Sequence, residues 1–291
     1  MIKKAVIVAA GLGTRFLPIT KSFPKEMLPL VDKPVLQYIV EEAAQSGIKE
    51  IILVISPEKK AIKDYFEPNK KLEYFLRARK KNSRLSEVQA INKLPKIVYR
   101  YQKKPLGIAD AILKAKDRIK NEPFALFFAD DVVNSRTPCL KQLINLYQQY
   151  KNIIVAVTPV PPKEVFHYGI IKGKKISSRT YKIEDLIEKP KIKEAPSRLA
   201  IVGRYILVPQ IFKIIEQLAK KGIKVGEEIY LTDALKIYLE ENSFFYAYQY
   251  EGEWLSCGNK IGWLEANIKI GLNHPEIKKE LKNFLKDEKN F

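Results

Sequence analysis

The chain reads as an α/β protein built on a largely parallel sheet, and three observations lead there. Short apolar runs rich in β-branched residues, such as Lys3–Ala10 (KKAVIVAA) and Phe124–Ala129 (FALFFA), lack polar alternation, the pattern of strands buried on both faces. Between such runs, apolar residues recur at three- and four-residue spacing, the period of a helix lying on a sheet. Strand, loop and helix alternate from the first residues onward, which predicts right-handed βαβ units.

Lys3–Ala10 is the first strand and runs directly into a glycine-rich loop. Lys33-Pro34 opens a helix carrying Val35, Leu36, Ile39, Val40, Ala43 and Ala44 on one face, and Gly47 closes it. Glu50–Ile55 is the next strand and Lys59–Phe66 a short helix. The highly charged segment 70–93, with Leu72, Phe75 and Leu76 as its apolar face, predicts a helical insertion and a flexible loop over the sheet. Lys96–Tyr101 is the third strand, ending at Gln102, and Leu106–Ala111 begins a helix. Phe124–Ala129 is a strand that stops at Asp130-Asp131. Pro138–Tyr150 is a helix and Ile153–Thr158 a strand.

The second half predicts strands with longer excursions. Tyr168–Lys172 and Tyr181–Ile187 form an antiparallel pair turning at Gly173-Lys174, and Leu199–Val208 is a further strand. Helices are expected at 210–221 and 227–241, a strand at 244–250, and two closing helices at 260–272 and 275–286. Nothing in the composition divides the chain, so residues 1–291 are expected to form one sheet-centred domain with a C-terminal helical appendage.

At 291 residues, with 46% hydrophobic and 29% charged residues, the chain can bury a substantial core. It holds no run of eighteen apolar residues, so no membrane span is expected, and its opening residues lack the apolar stretch of a secretory leader. The 2 cysteines, Cys139 and Cys257, are expected to be free thiols in a cytoplasmic protein. The net charge of +19 is spread over runs such as Lys3-Lys4, Lys59-Lys60, Lys70-Lys71 and Lys278-Lys279. Without an aromatic RNA-binding motif, zinc spacing or basic helix, these read as solvated lysine faces, and no nucleic-acid partner is expected. A basic surface does attract polyanionic small molecules.

The loop after the first strand carries the chemistry. Gly11-Leu12-Gly13-Thr14-Arg15 brings glycines, whose backbone N–H groups can approach an anion closely, together with a cation to cancel its charge. Neither familiar phosphate loop fits. No Lys-Ser or Lys-Thr pair follows the glycines at P-loop spacing. A dinucleotide fingerprint needs a third glycine where Phe16 stands, and an acidic residue where the second strand ends in Ser56-Pro57.

From Ala9 to Pro29 the chain matches the pattern A-A-G-x-G-T-R-x-L-P-x-T-K-x-x-P-K-E-M-L-P at every fixed position. In this it resembles the nucleotide-diphospho-sugar pyrophosphorylases, most closely their bacterial UTP–glucose-1-phosphate uridylyltransferase branch. The resemblance implies a Rossmann-like three-layer nucleotide-diphospho-sugar transferase fold with a mixed, mostly parallel central sheet. It also implies attack of the glucose 1-phosphate phosphate on the α-phosphorus of UTP, with Mg²⁺ as cofactor and a homo-oligomer, dimer or tetramer, as the assembly. Residues 1–158 would form the nucleotide half, 159–258 the sugar-phosphate half and 259–291 the closing helices.

Residue by residue, the resemblance implies that Arg15 clamps the triphosphate, Lys25 stands by the reacting phosphate and Lys189 holds the sugar phosphate. Substrate contacts would come from Ala9, Ala10, Gly11, Gly13 and Thr14, with Gln102 and Gly107 at the uracil. Phe-Phe-Ala-Asp-Asp resembles the family's metal motif and makes Asp130 the Mg²⁺ ligand, at the carboxyl end of a strand where open sheets place ligands. Asp131 is open between a ligand contact and a turn cap. Tyr168-Gly169-Ile170-Ile171 and Glu188-Lys189-Pro190 resemble the sugar segments, which puts Gly169 and Glu188 at the hexose. Ala195–Tyr205 resembles the uridylyltransferase segment that contains Gly203. His167 and His274 are expected to be surface or structural.

Two stretches depart from the family. Ala109-Asp110-Ala111 stands where the family has G-H-A, and Ser256 replaces the aspartate of D-C-G-N-K, the second metal ligand of relatives. Three outcomes follow for the metal. Asp130 holds it with phosphates and water, or Asp131 or Glu253 compensates, or activity is impaired. Asp110 brings a negative charge near the nucleotide unless it faces away.

Overall fold

The computed structural model describes residues 2–220, 228–242 and 244–287. The chain opens with β1 (Lys4–Ala9), the phosphate loop, a two-residue ribbon β2 (Pro29–Leu30) and β3 (Lys33–Pro34), and α1 (Val35–Gln45). There follow β4 (Glu50–Ile55), α2 (Lys60–Phe66), α3 (Lys70–Ala78), α4 (Asn82–Ile91) and β5 (Lys96–Tyr101). Next come α5 (Ile108–Leu113), α6 (Lys116–Ile119), β6 (Phe124–Phe128), β7 (Asp131–Asn134), α7 (Cys139–Tyr150) and β8 (Ile154–Pro159). The rest is β9 (Gly169–Lys175), β10 (Thr180–Glu188), β11 (Leu199–Leu207), α8 (Gln210–Lys220), α9 (Leu231–Asn242), β12 (Tyr246–Gln249), β13 (Glu253–Ser256), α10 (Lys260–Gly271) and α11 (Lys278–Asp287).

Nine strands form one sheet in the order β5-β4-β1-β6-β11-β8-β12-β10-β9. Strands β5, β4, β1, β6, β8, β12 and β9 point one way, and β11 and β10 oppose them, so the sheet is mixed and mostly parallel. Side chains alternate across each strand. In β1, Ala5, Ile7 and Ala9 enter the core beneath α1, α2 and α7, whereas Val6 enters the core beneath α5, α8 and α9. That alternation makes three layers. It also explains the unbroken apolar runs, since both faces of the sheet are covered.

Segment 70–93 differs from the expected helix and loop, because both halves are helical. Asn69 caps α3 by accepting from the Leu72 N–H at 3.0 Å, and Glu73 of α3 accepts hydrogen bonds from Gln89 and Asn92. The β9–β10 hairpin also turns later than expected. Gly173 lies inside β9, paired with Ile183, and the turn falls at 176–179. Glu227, expected to begin a helix, lies outside the described residues. Strands β7 and β13 had no sequence signal. They pair antiparallel with Ser256 opposite Asp131, and that short ribbon brings the C-terminal part of the chain to the carboxyl edge of the sheet. Among the described residues, no helix is long and apolar enough to cross a membrane.

Candidate active site

Ala9 ends β1 at the carboxyl edge of the sheet, and the glycine-rich loop leaves from there. Gly13 takes a left-handed conformation (φ 68°), and its carbonyl accepts from the Thr20 hydroxyl at 2.8 Å, which folds the loop back upon itself. Beneath the loop lies Lys59, which is buried rather than part of a solvated lysine run. Its ammonium donates to the carbonyls of Ala9 and Gly11, each at 2.7 Å, and to both oxygens of Glu26 at 2.8 and 2.9 Å. Two buried charges are tolerated because each satisfies the other and the ammonium spends its donors on the loop. Burial lowers Lys59 below the ordinary lysine value despite Glu26, and burial raises Glu26 despite Lys59 and Lys25.

The floor of the site is the turn between β6 and β7. The Nζ of Lys25 donates to Oδ2 of Asp130 at 2.5 Å, and the Cys257 N–H donates to the Asp130 carbonyl at 2.7 Å. Burial drives the Asp130 carboxyl up, but Lys25 and Arg15 more than cancel this and leave it below the usual carboxylate range. Burial likewise depresses Lys25, yet Asp130 and Glu26 outweigh it and hold the lysine above its ordinary value. The pair is therefore charged at neutral pH.

Asp131 behaves oppositely. Burial and the neighbouring charge on Asp130 push it up to about 6. Its Oδ1 accepts from the Trp254 indole at 2.8 Å and its Oδ2 from the Gly203 N–H at 3.2 Å. Gly203 has to be glycine here, because a Cβ would stand 2.5 Å from Cβ of Phe128 and 2.6 Å from Oδ2 of Asp131. The fully buried Arg204 donates to the Asp131 carbonyl at 2.6 Å and pairs with Glu42 at 2.8 Å, bracing the turn from inside the core.

Strands β9 and β10 supply the opposite wall. Their register sets Gly169 beside Glu188, whose Oε2 accepts from the Thr232 hydroxyl at 3.0 Å. Lys189 adopts a left-handed backbone (φ 46°), a strained setting for a residue with a side chain. Its ammonium lies 3.6 Å from Glu188 and 5.0 Å from the ring centre of Tyr230, so the cation is steered across the mouth.

These walls enclose a cavity of about 290 Å³ that Gly11, Arg15, Lys25, Asp130, Asp131, Gly169, Glu188 and Lys189 all line. Residues from both halves of the sequence thus meet at one place. Ala9 and Ala10 are buried behind the loop, Gly203 lies behind Asp131, and Gln102 after β5 and Gly107 at the start of α5 stand outside this cavity. Gln102 is buried and turns toward Asp110, whose other oxygen pairs with Lys114 at 3.0 Å. The charge of Asp110 is thereby partnered by a lysine. Sequence reasoning missed Lys59 and Trp254, and it assigns Tyr230 and Thr232, in the segment resembling the family's D-E-I-Q-L-T-D-A, to a scaffold helix. Only the charged run 59–60 hinted at the first, and it pointed to the surface. His167 also lines the cavity, its ring tilted against Phe166 with centroids 4.1 Å apart, while His274 bonds to Asp32 at 3.1 Å as a structural group.

Among the described residues, no cluster of three or more His, Cys, Asp or Glu side chains is placed to hold a metal unaided. Ser256, at the position where the resemblance implies an aspartate, lines the cavity. Glu253, three residues back on β13, points to the other face and pairs with Lys269 at 2.6 Å. Asp131 has each oxygen engaged by an N–H donor. Asp130 also lines the cavity with one oxygen taken by Lys25, and a hard ion such as Mg²⁺ needs only one or two carboxylates, with phosphate oxygens and water completing its shell.

A profile of the nucleotidyl transferase family matches residues 4–271. A UTP–glucose-1-phosphate uridylyltransferase from Staphylococcus haemolyticus is 45% identical over 286 residues, which is 98% of both chains. Among solved structures, a UDP-glucose pyrophosphorylase complexed with UDP-glucose is 40% identical, with a TM-score of 0.85 over 94% of this chain and 100% of that one. A UTP-bound UGPase from Acinetobacter baumannii is 36% identical, with a TM-score of 0.89 over 98% of this chain and 99% of that one.

Proposed function

The chain belongs to the nucleotidyl transferase family, and on that premise we propose that it makes UDP-glucose and pyrophosphate from UTP and glucose 1-phosphate. The observation that carries this reading is the convergence of Arg15, Lys25, Lys189 and Asp130 on one cavity at the carboxyl edge of the sheet. Nucleophile and electrophile are both polyanions, so the barrier is mainly repulsion and misalignment. Cations on rigid supports lower it without a covalent intermediate.

The glycine loop receives the triphosphate through backbone N–H groups, and the Arg15 guanidinium matches its oxygens in a planar fork. Lys189, fixed by its backbone conformation and by Glu188, holds the sugar phosphate on the other side, with Glu188 left to accept from sugar hydroxyls. A phosphate oxygen of glucose 1-phosphate forms a new bond to the α-phosphorus. The bond from that phosphorus to the β-bridging oxygen breaks, and pyrophosphate leaves with the electron pair. Lys25 stabilises the charge that builds at the α-phosphoryl group. Asp130 would hold the Mg²⁺, which when bound neutralises phosphate charge. Lys114 pairs with the departing family feature Asp110, which removes one reason to suspect an inactive relative.

A homo-oligomer fits Ile261 and Leu264 on α10 and Phe284 on α11, which are exposed apolar side chains. A cytoplasmic location accompanies this reading. The test is pyrophosphate release by the purified protein with UTP, glucose 1-phosphate and Mg²⁺. Turnover with UTP above that with dTTP supports the reading, and no turnover with any pyrimidine nucleoside triphosphate overturns it.

A further inference from the structure

Gln102 immediately follows β5, and Ala10 immediately follows β1. The register Ala9, Ile55, Tyr101 across β1, β4 and β5 puts the two at the same edge, two strand spacings or roughly 10 Å apart, the span of a nucleoside lying along the sheet edge. The Gln102 Nε2 group donates to the Gly107 carbonyl at 3.0 Å and to Oδ2 of Asp110 at 2.8 Å. Both of its hydrogens are spent, and on groups that only accept. The flipped amide would set Oε1 against a carboxylate and a carbonyl, so hydrogen-bond chemistry decides the orientation. Oε1 then accepts nothing from any described residue. It is the one polar atom of this side chain left for a ligand.

We propose that Asp110 is a positioning residue for base selection: it locks Gln102 as a pure acceptor, so that the site takes pyrimidines with an N3–H donor and rejects cytosine. This rests on the proposed use of UTP and on the sequence resemblance, which puts Gln102 at the base. Uracil offers an N3–H to Oε1. Cytosine offers an N3 lone pair, and two acceptors would face each other in a desolvated place. A free glutamine amide serves either base by turning over, and a single carbonyl, that of Gly107, restrains it weakly. Asp110 adds the second restraint. Gly107 has φ 94° and a Cβ there would stand 2.7 Å from the Ile229 carbonyl, so this side of the lock is fixed by packing. Thymine shares the N3–H, so the lock separates UTP from CTP and leaves dTTP to other contacts.

The test compares kcat and KM for UTP and CTP in the full-length protein and its Asp110→Ala, Asp110→Asn and Gln102→Ala variants. Asp110→Ala is expected to narrow the UTP-over-CTP preference in kcat/KM by roughly ten-fold, chiefly through KM, with the KM for glucose 1-phosphate unchanged. Asp110→Asn keeps an acceptor facing Gln102 and is expected to restore most of the preference. Asp110→Leu, of similar size and without an acceptor, repeats the measurement if the alanine variant does not fold. An unchanged preference in Asp110→Ala or Asp110→Leu, with Gln102→Ala collapsing it, overturns the role of Asp110 alone. An unchanged preference in Gln102→Ala overturns the base contact itself.

Discussion

The ammonium of Lys25 sits 2.5 Å from Oδ2 of Asp130, so the lysine expected at the reacting phosphate is also the counter-charge of the carboxylate expected to grip the metal. Their residues are 105 apart in sequence and come from the phosphate loop and the end of β6. The pairing keeps both groups ionised in a place of low solvent access and aims both at one cavity. A substrate phosphate or a cation arriving there replaces half of an existing ion pair and does not meet a bare charge.

Replacing Lys25 with alanine should therefore reduce kcat/KM by about 10²–10³-fold, or about 3–4 kcal/mol of transition-state stabilisation. Pyrophosphate release under limiting UTP reads this directly. Turnover equal to the parent enzyme would remove Lys25 from the mechanism.

Ser256 faces the cavity one strand away from Asp131, so Ser256→Asp adds the second carboxylate in place. We expect the Mg²⁺ concentration for half-maximal activity to fall by about ten-fold, because an anion binds the ion more strongly than a hydroxyl does. A Mg²⁺ titration checks it, together with chelator removal, which should silence the parent protein at lower chelator concentration than the variant. An identical metal dependence would mean that position 256 does not reach the ion.

Lys59→Met leaves Glu26 buried without its partner and releases the carbonyls of Ala9 and Gly11. Breaking a buried pair in this way costs about 3–5 kcal/mol, so the denaturant midpoint should drop clearly. The double variant with Glu26→Gln should recover part of the loss. If Lys59→Met matched the parent in denaturant, the buried clamp would carry no stability.

Asp131 supplies a pH signature in the metal-free protein. Its folded pKa is raised to about 6, so the folded state holds this proton more tightly than the unfolded chain does. The stability it contributes is complete below the unfolded carboxylate range and is lost as pH rises through about 6. Asp130, lowered in the fold, acts in the reverse sense, its contribution fading as pH falls through its folded value. Asp131→Asn removes only the first effect. The stability deficit of that variant relative to the parent should narrow between pH 4 and pH 7, as measured by denaturant unfolding at each pH. A constant deficit would show that Asp131 does not titrate in this window.

Strands β1, β4 and β6 of the parallel first half are legible because each is a nearly unbroken apolar run, and α1 because its apolar face is regular, whereas α4, which buries no side chain, shows no such face. The phosphate loop was equally plain, since its glycines and cations are contiguous. The sheet's second half was harder. The hairpin turn was placed at Gly173, where a glycine marks a close backbone approach and the chain continues as strand for two more residues. Strands β7 and β13 are too short to show a period and exist because they pair with each other.

Local pattern was enough to determine the class of fold and to mark the glycine-rich loop with its cations, since those depend on residues adjacent along the chain. The burial of Lys59, the engagement of Asp131 by Trp254 and Gly203, the turning away of Glu253, and the hold of Asp110 on Gln102 were decided only when the chain closed. Each depends on which way a side chain points and what stands across from it, and strand register and helix packing set both between segments far apart in sequence.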